Sequence, residues 1–308
     1  MINRGTKVFT VASTRTGGQA VVSSRRGEGA HCYQGRRGVL ATKHDKAPLV
    51  APVLHASVGL IVEGISVDTD VLGTFSGDVA RPGGPWETAV AKARLGMRAA
   101  DCLIGLASEG SIGPDASAPF VICAVELMVL VDDQRGIVVA EAERGFDIAT
   151  VAGDVAPGDH LDDLLRRGRF PEHAMMVRPA SGLGKPIFKE IVTVRELERA
   201  IRSCASASAD GRARVETDLR AHRCPSRRPI IARAAQRLAA RLASCCSDCG
   251  SPGWGLVRVE LGVPCSWCGG NVEVPRADVM ACPSCPATRT VSRAQRTADP
   301  RHCEWCNP

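Results

Sequence analysis

The chain has 308 residues, with 44% hydrophobic and 23% charged residues, as in a globular protein with one large domain or two smaller ones. No apolar run approaches the roughly 18 residues that span a bilayer, and no secretory signal is recognisable, which disfavours membrane and exported classes and favours a cytoplasmic protein. The net charge of +6 is concentrated in residues 1–40, which hold seven Lys or Arg and one acid, so it is weak evidence for nucleic-acid binding by the folded body.

The first segment, residues 1–35, is rich in Arg, Gly, Ser and Thr and has little periodicity. This composition predicts a disordered basic leader. An Arg- and Ser-rich, acid-poor start is also typical of an organelle transit peptide, so both interpretations stay open.

Apolar runs of strand length alternate with helical segments from residue 36 to about residue 240. This alternation predicts an α/β domain with a mixed sheet flanked by helices, because one hairpin interrupts the parallel pattern. We expect strands at 38–42, 59–67, 102–108 and 173–179, helices at 46–57, 85–99, 159–168, 193–204 and 226–245, and a hairpin of strands at 120–133 and 137–143.

Four stretches of this domain carry candidate site residues. In "ATKHDK" (41–46), Thr42, His44 and Lys46 follow a strand and precede a helix, where free N–H groups favour an anion. Read alone, the same residues fit a threonine cap with surface charges. The charge run "ETDLRAHRCPSRR" (216–228) includes His222 and Arg223, which fit either a solvated face or contacts to a base or phosphate.

The helix that begins "PWETAVAKAR" (85–94) contains Glu87 near its first turn, where the helix dipole favours a carboxylate without any further function. Lys92 lies about 140° around the helix from Glu87, so the two side chains should face different neighbours. In "GLASEGSIGPD" (105–115), Glu109 is expected in a loop after a strand, where open α/β sheets bind ligands. A carboxylate beside Mg²⁺ there can orient a water, and a solvated acid is the alternative.

The C-terminal segment, residues 241–308, contains four Cys-x-x-Cys pairs, which favour metal ligation in a reducing compartment. The spacing is typical of a zinc-ribbon module with two structural Cys₄ sites, and an iron–sulfur cluster is the minority alternative. Sequential pairing is simplest, a crossed arrangement remains open, and Cys245 is a substitute ligand. Eight thiolates make the module acidic, which disfavours nucleic acid. The predicted ligands are Cys246, Cys249, Cys265, Cys268, Cys282, Cys285, Cys303 and Cys306.

Two resemblances extend these interpretations. From about Tyr33 to Pro308, the chain resembles a bacterial family defined as a domain of unknown function, through "LATKHDK", "GLASEGSIGPD", "ETDLRAHRCPSR" and the terminal "CEWCNP". Residues 38–115 are distantly similar to the inosine/xanthosine triphosphate pyrophosphatases. The shared features are a Thr–Lys loop, the helix motif "ETAVAKA" and an acidic residue after the next strand, and "AHR" (221–223) resembles that group's base-binding segment.

The second resemblance implies an inosine triphosphatase-like fold and specific roles. Glu87 would help bind Mg²⁺, and Glu109 would bind the metal or activate water. The nucleotide- and phosphate-binding residues would be Thr42, His44, Lys46, Lys92, His222 and Arg223.

The leading hypothesis is therefore a Mg²⁺-dependent nucleoside triphosphate phosphohydrolase, or a degenerate nucleotide-binding relative, with two structural Zn²⁺. The alternative is a non-enzymatic zinc-ribbon module that binds nucleic acid or a partner protein. The first hypothesis requires Thr42, Lys46, Glu87, Lys92 and Glu109 to converge on one cleft. The nucleotide and the oligomeric state stay open.

Overall fold

The computed structural model describes residues 30–73, 83–115, 117–182 and 184–307. Most of the predicted leader lies outside these residues. Its last part, 30–35, packs against the body: Tyr33 is fully buried and its hydroxyl donates to Asp132 at 3.1 Å. The body therefore begins earlier than the composition of the leader indicated.

The first sheet is mixed, as predicted, with the strand order β2-β1-β3-β4-β5. The strands β1, β2 and β3 are parallel, whereas β4 and β5 form the antiparallel hairpin. The strands are β1 (Arg37–Ala41), β2 (Ile61–Ile65), β3 (Ile104–Pro114), β4 (Ile122–Asp132) and β5 (Ile137–Gly145).

Three helices cover this sheet: α1 (Ala47–Val58) and α5 (Arg228–Ala243) on one face, and α2 (Pro85–Ala100) on the other. Successive side chains of a strand point to opposite faces. Leu106 accordingly joins the core under α1 and α5, while Ala107 joins the core under α2. A Cβ at Gly105 would collide with Met97 of α2, so the glycine permits this close packing.

A second sheet lies between β5 and α5 in the chain; the sequence pattern predicted one of its strands, at 173–179, but not the sheet. It is antiparallel, has the order β6-β9-β7-β8 and encloses its own hydrophobic core under α4. The side chain of Thr193 accepts the backbone N–H of Glu196, a capping box that begins α4. The elements are β6 (Ala152–Val155), α3 (Asp162–Arg167), β7 (Met175–Pro179), β8 (Phe188–Ile191), α4 (Val194–Ser206) and β9 (Ala213–Thr217).

The C-terminal module is a three-stranded antiparallel sheet of β10 (Gly255–Pro264), β11 (Asn271–Ala281) and β12 (Thr288–Ser292). Arg241 of α5 attaches it to the body by donating to the backbone oxygens of Gly253 and Leu256, and to that of Ala140 on β5, each at 3.1 Å. Among the described residues, no helix is long and apolar enough to cross a membrane.

Candidate functional site

A cavity of about 50 Å³ opens where the β1–α1 loop, α2, β3 and the start of α5 meet. It collects five of the residues that the sequence singled out: Thr42, His44, Lys46, Lys92 and Glu109. The cavity wall is largely polar, and most of its charged residues are cationic. The other lining residues are Ala41, Lys43, Thr69, Gly73, Ser108, Gly110 and Arg227.

A buried triad of charges lies at the base of the cavity. The Lys46 ammonium donates to Glu126 at 2.8 Å, and Arg227 donates to the other Glu126 oxygen at 2.7 Å. Burial alone would raise the pKa of Glu126, but the two cations lower it to about 2. Burial lowers the pKa of Lys46, and Glu126 opposes that change. Lys46 also donates to Ser108 at 2.6 Å, so its position is fixed from two sides.

Glu109 lies on β3, which continues to Pro114, so the prediction of a loop from residue 109 was wrong. Gly110 does not mark a turn. It lets the Arg227 guanidinium lie close to the backbone of β3, because a Cβ at this position would collide with the guanidinium. Glu109 is 5% exposed and accepts a hydrogen bond from Lys92 at 2.7 Å. Lys92 therefore faces the cavity, and the carboxylate that it meets is Glu109.

Glu87 differs from the other candidates. It is exposed at the start of α2, with its side chain next to Gly83 and Gly84, and it is not among the residues that line the cavity. The helix N-terminus alone accounts for a carboxylate in this position. The expectation that Glu87 faces Glu109 across a cleft does not match this placement.

His222 contacts the cavity wall through a histidine pair, whereas Arg223, the next residue, binds Glu190 and does not line the cavity. The His222 ring stacks on His44 with the centroids 4.8 Å apart, and His44 lines the cavity. Glu190 of β8 accepts hydrogen bonds from His222 at 3.1 Å and from Arg223 at 2.5 and 3.0 Å. These hydrogen bonds lower the pKa of Glu190 to about 2. Through Glu190, the second sheet thus positions the charged segment 216–228.

Sequence reasoning missed Glu126, and it gave Arg227 only the role shared by the whole charge run 216–228. Glu126 is the one acid among the apolar residues of "FVICAVELMVL" (120–130), and it is 2% exposed. A carboxylate inside a buried strand is costly unless it is paired, so this position was a usable signal. Arg227 was hidden in a segment with several arginines, where sequence alone does not show which one is buried.

The eight predicted cysteines form two groups of four, and within each group the sulfur atoms lie within 4.8 Å of one another. The simplest, sequential pairing was wrong and the crossed arrangement is observed. The strands β10 and β11 are antiparallel. The first and third Cys-x-x-Cys knuckles therefore meet at one end of this hairpin, and the second and fourth knuckles meet at the other end. Cys245 belongs to neither group. The proximal group is Cys246, Cys249, Cys282 and Cys285, and the distal group is Cys265, Cys268, Cys303 and Cys306.

The sulfur geometry fits a tetrahedral metal ion. The closest pairs, Cys249–Cys282 and Cys268–Cys303, are 3.6 Å apart, far beyond a disulfide bond of about 2.05 Å. Four thiolates about 2.3 Å from one zinc ion would lie about 3.8 Å apart. Backbone N–H groups of Cys268 and Trp267 lower the pKa of Cys265 to about 7, which favours the thiolate that binds metal. Both groups can therefore bind a metal ion.

The comparisons with known proteins agree with one of the two resemblances. A family model described as "domain of unknown function (DUF6671)" matches residues 92–308, from the middle of α2 through the cysteine module. No curated protein matches the chain. The matched range contains Lys92, Glu109, Glu126 and both cysteine groups, whereas the Thr42–Lys46 loop precedes it. The chain belongs to the family of the domain of unknown function DUF6671.

Proposed function

We propose that the cavity binds the phosphate groups of a nucleotide, and that the chain is a Mg²⁺-dependent nucleoside triphosphate phosphohydrolase or a nucleotide-binding relative of one. The observation that carries the proposal is the charge of the cavity wall. Four cationic side chains line it, and the carboxylates paired with them are Glu109, Glu126 and Asp68, which leaves one positive charge in excess. The cationic residues are Lys43, Lys46, Lys92 and Arg227.

Burial makes this excess of positive charge effective. Lys46 and Arg227 are 9% and 3% exposed, so water screens them poorly. Their shared partner Glu126 carries one negative charge against their two positive charges. A bound phosphate oxygen would add charge-assisted hydrogen bonds, which are about twice as strong as neutral ones. The nearby N-terminus of α1, which begins at Ala47, adds a favourable dipole for the same anion.

The remaining cavity residues fit further roles. His44 and His222 offer a stacked aromatic surface at the edge of the cavity, which suits a nucleobase. Arg223 shares the partner Glu190 with His222. Glu109 would act as the general base that orients a water toward the phosphate, and Lys92 would stabilise the charge that develops on the phosphate oxygens. Lys46, which donates to Glu126 and Ser108 at the base of the cavity, would also donate to a bound phosphate oxygen.

The magnesium part of the proposal depends on Glu109. Mg²⁺ is commonly held by one or two carboxylates together with phosphate oxygens of the substrate. Glu109 supplies one such carboxylate, and the phosphates of the nucleotide would supply the other oxygens. When bound, Mg²⁺ would neutralise phosphate charge. We propose no metal-binding role for Glu87, because it lies outside the cavity wall.

We assign the two cysteine groups to structural zinc. A site with four cysteines leaves no open position for water or substrate, which is the pattern of structural zinc. The module has a small core of its own around Val263 and Val272, which a metal ion would supplement.

The test uses the full chain loaded with zinc. Thermal unfolding is followed with a panel of nucleoside mono-, di- and triphosphates that includes inosine and xanthosine nucleotides, and phosphate and pyrophosphate release are measured with and without Mg²⁺. We expect at least one triphosphate to raise the melting temperature and to be hydrolysed only with Mg²⁺. Binding without release would support the nucleotide-binding relative. No thermal shift and no release across the panel would refute the proposal.

A further inference from the structure

The two knuckles of the distal cysteine group both expose a tryptophan. Trp267 in "CSWC" and Trp305 in "CEWC" occupy the same position, immediately before the second cysteine, and are 78% and 84% exposed. The equivalent residues of the proximal group are Asp248 and Ser284. Large exposed aromatic side chains are unfavourable in water, so two of them beside one rigid site indicate a binding surface.

The position of the distal group supports this interpretation. The proximal end of the module packs on the body, where Gly253 lies against Val139 of β5 and Arg241 binds the module's backbone. The distal end is one hairpin length away, about 30 Å along β10. The hydrophobic cluster at the distal end consists of residues of the module itself, among them Val263 and Val272. The tryptophans therefore lie at the far end of a hairpin whose base is fixed to the body.

We propose that this end binds a basic segment of a partner protein. The binding surface, here called the tryptophan tip, consists of residues 264–273 and 296–307. Arginine and lysine side chains stack on tryptophan faces, which contributes about 0.5–2 kcal/mol for each contact, most where water is excluded.

Charge selects this partner over nucleic acid. The acids of the tip are Glu273, Asp299 and Glu304, and its arginines are Arg296 and Arg301. These residues give a net charge of −1; with the zinc ion proposed above, the four thiolates would add about −2, so the zinc-loaded tip would carry about −3. This charge attracts cationic side chains and repels phosphates. Tryptophan faces alone would also stack on unpaired bases, so a single-stranded oligonucleotide is the competing ligand that the test must include.

The experiment uses the full chain with zinc and three labelled probes in fluorescence anisotropy. The probes are a decapeptide of alternating Arg and Ser, the same peptide with Glu in place of Arg, and a single-stranded DNA decamer. The test variant is Trp267→Ala with Trp305→Ala. The matched control is Asp248→Ala with Ser284→Ala at the equivalent positions of the proximal knuckles. Zinc content is measured for each protein, so that loss of the site is separated from loss of the surface.

We expect the Arg peptide to bind and the Glu peptide and the DNA not to bind. The tryptophan variant should weaken binding at least about tenfold while retaining the zinc content of the unaltered chain, and the control variant should bind as the unaltered chain does. Preference for DNA, absence of Arg-peptide binding up to about 1 mM, or unchanged binding by a zinc-loaded tryptophan variant would overturn the proposal.

A second measurement requires no substitution at the tip. The chain has four tryptophans, and the other two are Trp86 and Trp254. In an NMR titration of the unaltered chain, the Arg peptide should shift the indole signals of Trp267 and Trp305 and leave those two in place. Shifts confined to Trp86 and Trp254 would overturn the proposal. The cavity takes no part in this test, so its outcome is independent of the proposed nucleotide binding.

Discussion

The buried triad at the base of the cavity allows a quantitative prediction. Glu126→Gln removes the carboxylate between Lys46 and Arg227 and keeps the size of the side chain. The two cations then face each other without the negative charge that separates them. Removing one partner of a buried ion pair typically costs about 3–5 kcal/mol.

The pKa of Glu126 gives an independent magnitude. The pKa of the Glu126 carboxyl falls from 4.5 to about 2 in the folded chain. A difference of about 2.5 pKa units corresponds to about 3 kcal/mol of folding free energy at neutral pH. Because the folded pKa is lowered, this contribution is complete above about pH 4.5 and is lost as the pH falls through about 2. Both routes predict that Glu126→Gln lowers the free energy of unfolding by about 3 kcal/mol at pH 7.

The assay is urea unfolding of the zinc-loaded chain, followed by circular dichroism. Glu143→Gln is the matched control, because Glu143 pairs with Arg233, which is nearly half exposed, and such pairs contribute at most about 1 kcal/mol. The difference between Glu126→Gln and the unaltered chain should shrink between pH 4.5 and pH 2. Inorganic phosphate should stabilise Glu126→Gln more than the unaltered chain, because the cavity has gained a positive charge. Equal effects of the two substitutions, or a difference independent of pH, would refute the reasoning.

Two further predictions follow from the site geometry. Glu109→Gln should reduce Mg²⁺-dependent phosphate or pyrophosphate release at least about 100-fold, measured at a temperature where the variant is folded, and it should also lower the melting temperature because it breaks the buried pair with Lys92. Glu87→Gln should stay within about threefold; similar losses of activity for both would argue against the proposed base. In zinc determinations, Cys249→Ser with Cys285→Ser should leave one zinc ion per chain, because both residues belong to the proximal group. Cys249→Ser with Cys268→Ser should remove both ions, and the reverse pattern would mean sequential pairing.

The sequence predicted the first sheet and its helices well because the helices and the hairpin are long and strongly patterned, and because the short strands, such as Ile61–Ile65, border those helices. The second sheet was predicted only in part, at the strand 173–179 and at its two helices, because its other strands are four or five residues long and partly exposed, as in Ala152–Val155. Its last strand, Ala213–Thr217, overlaps the start of the charged segment 216–228, which hides the strand pattern. Length and alternation are the signals of a strand, and these strands have little of either.

The candidate site was likewise predicted only in part. The cysteine spacing predicted the ligands, but not which pairs meet, because that depends on the length and return of the hairpin between β10 and β11. The sequence singled out Lys46, at the end of the β1–α1 loop, and Lys92, on α2, and both line the cavity. Glu126 was passed over because it stands alone in an apolar run. Glu87 was favoured by a motif although its position at a helix start already explained it.

The most direct test of the account is calorimetric titration of a nucleoside triphosphate into the zinc-loaded chain and two variants. Lys43→Ala removes a cation of the cavity wall that is paired with Asp68, and Arg233→Ala removes a cation elsewhere on the body that is paired with Glu143. The account predicts binding with Kd below about 1 mM, at least fivefold weaker in Lys43→Ala and unchanged in Arg233→Ala. An absence of binding, or equal weakening by the two substitutions, would contradict a phosphate-binding cavity.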